Sequence, residues 1–306
     1  MNAITSSTKF DYVTGTMATP PEIAVIEPTN RCNLNCVMCY RLEHLGDVGD
    51  MSFSLFKQIA DSVKGARMIC CHGGGEPLLH PDILKMIDYA HEACNPEVLS
   101  ITTNATLLDH EMAKGLAASK LGVLYASIDG ADKRTYEGIR GFSFEQVVEN
   151  VRYFKSMSRI PIVVQYTVMK DNLQSLLRLP ELVRYIGADR INVQHLLKWN
   201  RQMEGMRVID GIYEDFERIR VLVLDEAGKY GVECSIPPIG FIDKCDLPFR
   251  EAYFNFKGEI APCCVAVHVS LERSFTDING DRIREWRRRV GQGEFFEECR
   301  RFCYVK

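Results

Sequence analysis

Six short β-branched runs, each followed by a longer amphipathic stretch, constrain this chain more than any other feature. The runs cover residues 23–27, 68–71, 98–102, 123–127, 162–168 and 191–196. Between them, Ser52 can cap a helix with Leu55, Phe56, Ile59 and Val63 on its apolar face. Asp82 can open another, and residues 144–157 and 173–185 carry the same period, with Pro180 as an expected kink. Repeated strand–helix alternation predicts an α/β fold with a parallel sheet built from βαβ units. Pattern alone leaves open whether the sheet is flat or curled into a barrel, but in either case ligands collect at the C-terminal ends of the strands.

The alternation stops near residue 232. The rest contains Pro237 and Pro238, several glycines and crowded cysteines, without a long apolar helix. The expected division is therefore an N-terminal extension over 1–22, an α/β unit over 23–232, and a small appendage over 233–306 that a metal holds together. The basic run 282–289 is expected to be a solvated helix face around an inward Trp286. A net charge of −4 gives no general pull toward nucleic acid or anionic membrane. No apolar run approaches the roughly 20 residues of a membrane span. Residues 1–19 are polar with one Lys, so no secretory signal is expected and the location expected is cytoplasmic.

Twelve cysteines in such a setting favour metal ligation or catalysis over disulfides. Cys32, Cys36 and Cys39 lie directly after the first run. Three thiolates suit a four-iron cube and leave one iron without a protein ligand, whereas structural zinc wants a fourth ligand nearby. Gly74, Gly75, Glu76 and Pro77 follow the second run. Thr103 and Asn104 end the third, Ser127-Ile128-Asp129-Gly130 ends the fourth, and Arg140-Gly141 lies further on.

In this order, at these strand ends, the motifs resemble those of the radical S-adenosylmethionine (SAM) superfamily. The resemblance implies a partial (βα)6 TIM-like barrel. It also implies a [4Fe–4S] cluster with an open site for SAM, reduced by a flavodoxin or ferredoxin system. In the family the GGEP edge binds the SAM amino group, with Glu76 supplying charge, and Ser127 and Arg140 are candidates for its carboxylate. Met38 stands where the family often has an aromatic residue near adenine, with Tyr40 just after it. The implied chemistry is reductive cleavage of SAM to a 5′-deoxyadenosyl radical that removes a hydrogen atom from an unactivated C–H.

Cys245-x12-Gly258-x4-Cys263, read as a hairpin turning at Gly258, followed by Cys299 and Cys303, resembles the SPASM/twitch extensions of some of these enzymes. The resemblance implies one auxiliary [4Fe–4S] cluster on Cys245, Cys263, Cys299 and Cys303; zinc would satisfy the same four thiolates. Cys264, left without a ligand role, is a candidate hydrogen-atom donor. Cys71 is a second, because it ends the second strand while Cys70 should face the other way. Some 22 residues before the first strand leave little room for a leader-peptide domain. The expected substrate is therefore small and polar, of the sugar or aminocyclitol type, with Glu27, Asn30, Gln165, Thr167, Gln194 and His195 suited to hydroxyl groups. Similarity to aminoglycoside epimerases and aminocyclitol dehydrogenases implies, first, epimerisation of a sugar or aminoglycoside carbon with a cysteine thiol as hydrogen donor and, as the alternative, oxidation of a carbinol into the auxiliary cluster, a setting of natural-product biosynthesis. Peptide modification with a separate recognition partner is kept as a further reading. A non-catalytic two-cluster electron carrier is disfavoured, since a carrier needs no SAM pocket.

Overall fold

The computed structural model describes residues 11–41, 46–198, 203, 205–240, 243–267 and 271–303. The six runs form β1 (Ile23–Ile26), β2 (Met68–Cys70), β3 (Val98–Thr103), β4 (Val123–Ser127), β5 (Ile162–Val168) and β6 (Arg190–His195). Three more strands follow: β7 (Glu233–Ser235), β8 (Glu251–Phe254) and β9 (Ile260–Ala261). They make one nine-stranded sheet in the order β7-β6-β5-β4-β3-β2-β1-β8-β9. Every neighbouring pair is parallel except β8–β9.

This order answers the question the pattern left open. From β1 to β7 each strand is laid beside its predecessor without reversal. Right-handed crossovers in one direction keep all helices on one face, which curls the sheet toward a barrel, whereas a doubly wound sheet must reverse its order. The architecture is an α/β fold with a mostly parallel, partial TIM-like barrel.

The helices are α1 (Phe53–Ser62), α2 (Ile83–Cys94), α3 (His110–Ala118), α4 (Lys133–Arg140), α5 (Phe144–Met157), α6 (Leu179–Ile186) and α7 (Tyr213–Lys229). Ser52, Asp109, Asp132 and Ser143 cap α1, α3, α4 and α5 by accepting from first-turn N–H groups. Asp82 precedes α2 without a side-chain cap bond. Pro180 does not kink a helix. It sits in the first turn of α6, where no N–H is needed, after 3-10 turns over 170–172 and 175–178. Helix α7 has no clean apolar stripe, since Val221 and Leu222 are exposed on it, which explains why periodicity does not reveal it. No helix among the described residues is long and apolar enough to cross a membrane.

Successive strand residues alternate between two faces. Ala24, Ile26, Ile69, Cys71, Leu99 and Ile101 join the helices in the main core. Ile23, Val25, Met68 and Cys70 pack inside the barrel with Tyr253 and Ala261. Cys71 therefore points into the helix layer at 0% exposure, and the expectation that it faces the site is corrected. Cys70 faces inward.

Residues beyond 232 contribute directly to this sheet. β7 pairs with β6, and β8 pairs with β1 from Ile23↔Glu251 to Ile26↔Phe254. The turn before β9 uses Gly258 at φ +80°. Helices α8 (Leu247–Arg250), α9 (Asp281–Gly291) and α10 (Glu297–Phe302) complete the segment. The run 282–289 departs from a plain solvated face. Trp286 is buried and stacks on Phe296 at 4.0 Å, but Arg287 is fully buried too. Arg287 donates to the carbonyls of Pro248 (2.6 Å) and Ile278 (2.7 Å), and burial lowers its pKa to about 10. Arg284, Arg288 and Arg289 pair with Asp281, Glu285 and Glu294.

Candidate active site

The C-terminal strand ends enclose a cavity of about 540 Å³. Cys32, Cys36, Cys39, Met38 and Tyr40 form one wall, and Gly73, Gly74, Gly75 and Glu76 form a second. Thr102, Thr103, Asn104, Ser127 and Arg140 line the floor, with Thr167, Gln194 and His195 beyond and Cys264 above. The structure thus brings together most of the residues singled out by sequence.

The cysteine loop is packed from below by Leu34, Met38, Ile139, Met169, Leu196 and Met203. Asn104 Nδ2 points at Cys32 Sγ (3.8 Å), and Arg140 Nη1 at Cys36 Sγ (3.6 Å). Burial pushes the Cys32 and Cys36 thiols up, and Arg140 works against that at Cys36. N–H donors aimed at thiol sulfurs are what cluster thiolates use. Among the described residues no three His, Cys, Asp or Glu side chains stand ready to grip a single metal ion; a four-iron cube spreads its thiolates more widely than one ion does.

The glycine wall is a close-approach surface. A Cβ on Gly75 would lie 2.3 Å from the Thr29 carbonyl oxygen, and one on Gly74 would lie 2.1 Å from Tyr40 Oη. Glycine is required there because this ledge packs directly on the protein's own backbone and side chains, where no side chain fits. Three thiols lining the cavity, donors on two of their sulfurs and the glycine ledge packed beside them fit a cluster with SAM next to it.

Several expected contacts play other parts. Glu76 is buried, and its carboxylate accepts from Thr103 Oγ1 (2.6 Å), Asn104 N–H (2.7 Å) and Leu78 N–H (3.1 Å). Burial raises its pKa and those bonds oppose the rise. Its charge is largely spent on the end of β3. Asp129 does not line the cavity. At 0% exposure it pairs with Arg140 through Nε (2.5 Å) and Nη2, and accepts from Thr167 N–H (2.6 Å). It aims Arg140. Pro77 starts a 3-10 turn over Pro77–Leu79, away from the cavity.

The polar set expected to face a hydroxyl-rich ligand divides in the same way. Glu27 and Asn30 make internal bonds, the latter to the Asp47 carbonyl and the Gly49 N–H. Gln165 holds Gln194 (2.9 Å) from outside the cavity. Thr167, Gln194 and His195 do reach it, His195 Nε2 donating to the Pro237 carbonyl.

His72 is a lining residue the sequence reading missed. Its Nδ1 lies 3.4 Å from Thr102 Oγ1, and burial lowers its pKa to about 4, leaving a neutral imidazole. Its signal was parity with Cys70, two residues before it on the inward face.

Cys264 opens on the cavity. Its N–H donates to Glu251 Oε1 (2.8 Å), and burial together with the Glu251 charge holds its thiol well above the usual range. Cys263, beside it, is buried. Burial drives the Cys303 thiol up to about 12, with Cys299 and Cys245 adding to the rise, and Cys303 in turn acts on Cys263. Cys303 N–H bonds the Cys299 carbonyl (2.9 Å) one helical turn back. The four candidate auxiliary ligands are thus electrostatic neighbours.

The family model described as "Radical SAM superfamily" matches residues 26–183, just over half of the chain. This chain belongs to the radical SAM superfamily. Its cofactors are accordingly a [4Fe–4S] cluster and SAM. A cofactor-modifying protein for the tungsten-containing aldehyde ferredoxin oxidoreductase of Pyrococcus furiosus is 29% identical, over 82% of this chain and 73% of its own. The AdoMet-dependent heme synthase of Methanosarcina barkeri is 31% identical, over 65% of this chain and 57% of its own. Among solved structures, Streptococcus suis SuiB bound to precursor peptide SuiA superposes with TM-score 0.68 at 18% identity, covering 94% of this chain and 71% of SuiB. BtrN with AdoMet and 2-DOIA reaches TM-score 0.51 at 15% identity, over 89% of this chain and 87% of BtrN. At these identities the two structures speak to fold alone.

Proposed function

We propose that Cys32, Cys36 and Cys39 hold the SAM-binding cluster and that Cys245, Cys263, Cys299 and Cys303 hold a second [4Fe–4S] cluster of the SPASM/twitch kind. In this reading the enzyme acts on a C–H bond of a peptide residue, and Cys264 returns a hydrogen atom to the carbon; the thiyl left behind would regain its thiol with one electron from the flavodoxin or ferredoxin reductant and one proton from solvent. Bound together, cluster and SAM supply a 5′-deoxyadenosyl radical. The chain's own residues then do the rest. The Gly73–Gly75 ledge takes the SAM amino group, Arg140 and Ser127 its carboxylate, and Met38 and Tyr40 pack beside the adenine. Glu251 holds Cys264 at the cavity lining, accepting from its backbone N–H and meeting its thiol.

The single observation behind the outcome is Cys264 itself, a thiol open to the cavity and one residue from a candidate auxiliary ligand. Support for a peptide comes from SuiB, where the same fold is bound to a precursor peptide. It also comes from size, since about 540 Å³ must hold SAM and the reacting group, which suits one residue of a chain that stays largely outside. The sugar or aminocyclitol class draws on the weaker fold-level likeness to BtrN, at TM-score 0.51 against 0.68 for SuiB, and is not favoured. Oxidation, with the second cluster taking the electron, is the competing outcome, because the Cys263 and Cys303 thiols act on Cys264 and Cys303 in turn neighbours Cys299 and Cys245.

Anaerobic reconstitution should load about eight irons per chain. SAM and a strong reductant should release 5′-deoxyadenosine; well-loaded protein that releases none sinks the reading. Turnover of peptide and aminocyclitol panels in deuterated water separates the outcomes. Solvent deuterium in a stereoinverted residue supports hydrogen return, and Cys264→Ala must abolish it. A product two hydrogens lighter without solvent deuterium supports oxidation.

A further inference from the structure

Glu27 directly follows β1 at 4% exposure and is absent from the cavity lining, yet its carboxylate is the meeting point of three segments. Oε1 accepts from Gly74 N–H (2.6 Å) and from Tyr253 Oη–H (3.0 Å), and Oε2 accepts from Phe256 N–H (3.1 Å). Gly74 belongs to the ledge, Tyr253 to β8, and Phe256 to the turn after β8. A Cβ on Gly73 would lie 2.5 Å from Glu27 Oε1, so the ledge also rests directly on this side chain. At the far end of the ledge Glu76 is tied to β3. Three successive glycines have little conformational preference of their own. Two buried carboxylates, one at each end, supply the fixity.

The arm that meets Glu27 is anchored elsewhere too. The Phe256 ring covers Gly49, Lys257 pairs with Asp47 (2.5 Å), and the Glu27 N–H bonds the Phe254 carbonyl (2.9 Å). Cys263 and Cys264 follow β9 directly on the same arm. Position of the C-terminal arm and shape of the ledge therefore share one carboxylate.

Resting on the reading that the Gly73–Gly75 ledge takes the SAM amino group, we propose that Glu27 is a positioning residue. Through it the docked C-terminal arm holds the ledge in its SAM-binding shape and so sets SAM affinity. A charge-assisted bond to Gly74 N–H orders the ledge before the ligand arrives, and preorganisation of this kind shows in the dissociation constant.

The test uses the reconstituted full chain without reductant and equilibrium dialysis of labelled SAM, with iron content and melting temperature recorded for every variant. Glu27→Gln keeps the volume but turns an amide NH2 either toward Gly74 N–H and Tyr253 or toward Phe256 N–H. SAM should bind roughly tenfold or more weakly. Tyr253→Phe leaves the carboxylate and the ledge intact and removes one tie to the arm. Its SAM affinity should fall by about threefold with iron content unchanged. A dissociation constant within twofold of wild type in a loaded Glu27→Gln protein overturns the proposal, whatever its melting temperature. Should Glu27→Gln fail to load iron, the same result in Tyr253→Phe overturns it. SAM binding and 5′-deoxyadenosine release by the wild type test the proposed function separately.

Discussion

Replacing Asp129 by Asn tests whether Arg140 is aimed by a buried ion pair. Asp129 has no exposed side-chain surface and Arg140 only 12%. One carboxylate oxygen takes Arg140 Nε (2.5 Å) and Nη2, the other takes Thr167 N–H (2.6 Å), so Asn must turn an NH2 toward one set of donors. Breaking a buried pair from one side costs about 3–5 kcal/mol, since the surviving charge is left without its partner. Arg140 still reaches the cavity and the Cys36 sulfur, which puts the expectation at the low end, about 3 kcal/mol. Urea unfolding of wild type, Asp129→Asn, Arg140→Met and the double variant measures it. The double variant should be more stable than the sum of single losses by about 2 kcal/mol, because neither charge is then stranded. The reasoning is refuted if Asp129→Asn loses under about 1 kcal/mol or if the two losses simply add.

Gly75→Ala places a methyl 2.3 Å from the Thr29 carbonyl and 2.5 Å from that of Arg31; labelled SAM should no longer bind in equilibrium dialysis. Cys71→Ala should lose about 1–2 kcal/mol in urea by opening a small void among core side chains, and leave the rate of 5′-deoxyadenosine release unchanged. Glu22 is held below the usual carboxylate value first by its bond to Arg250 (2.8 Å), which ties the entry of β1 to the end of α8. A depressed carboxylate stabilises the fold above its unfolded pKa, and that contribution is lost as pH falls through the folded value. The wild type should therefore lose stability below about pH 4.5 more steeply than Glu22→Gln, as read from melting temperature against pH.

The alternation of strand and helix was readable because each βαβ unit must write its own period into the chain. The cysteine triplet and the motifs at strand ends were readable because ligands gather where the strands stop. These determined an α/β fold and which short segments meet. Alternation along β2 was readable too: Cys70 and Cys71 had to face opposite ways. Which of them faces the cavity was not, because that phase depends on the side the helices cover, and only the assembled sheet decides it. The same holds for Glu27, Glu76 and Asp129. As residues at strand ends they look like ligand groups. The tertiary structure instead brings backbone N–H groups and an arginine to them, and a buried carboxylate satisfied by such donors becomes a support for its neighbours. Local pattern is a property of the chain; the partners that a charge finds come from segments tens to hundreds of residues away.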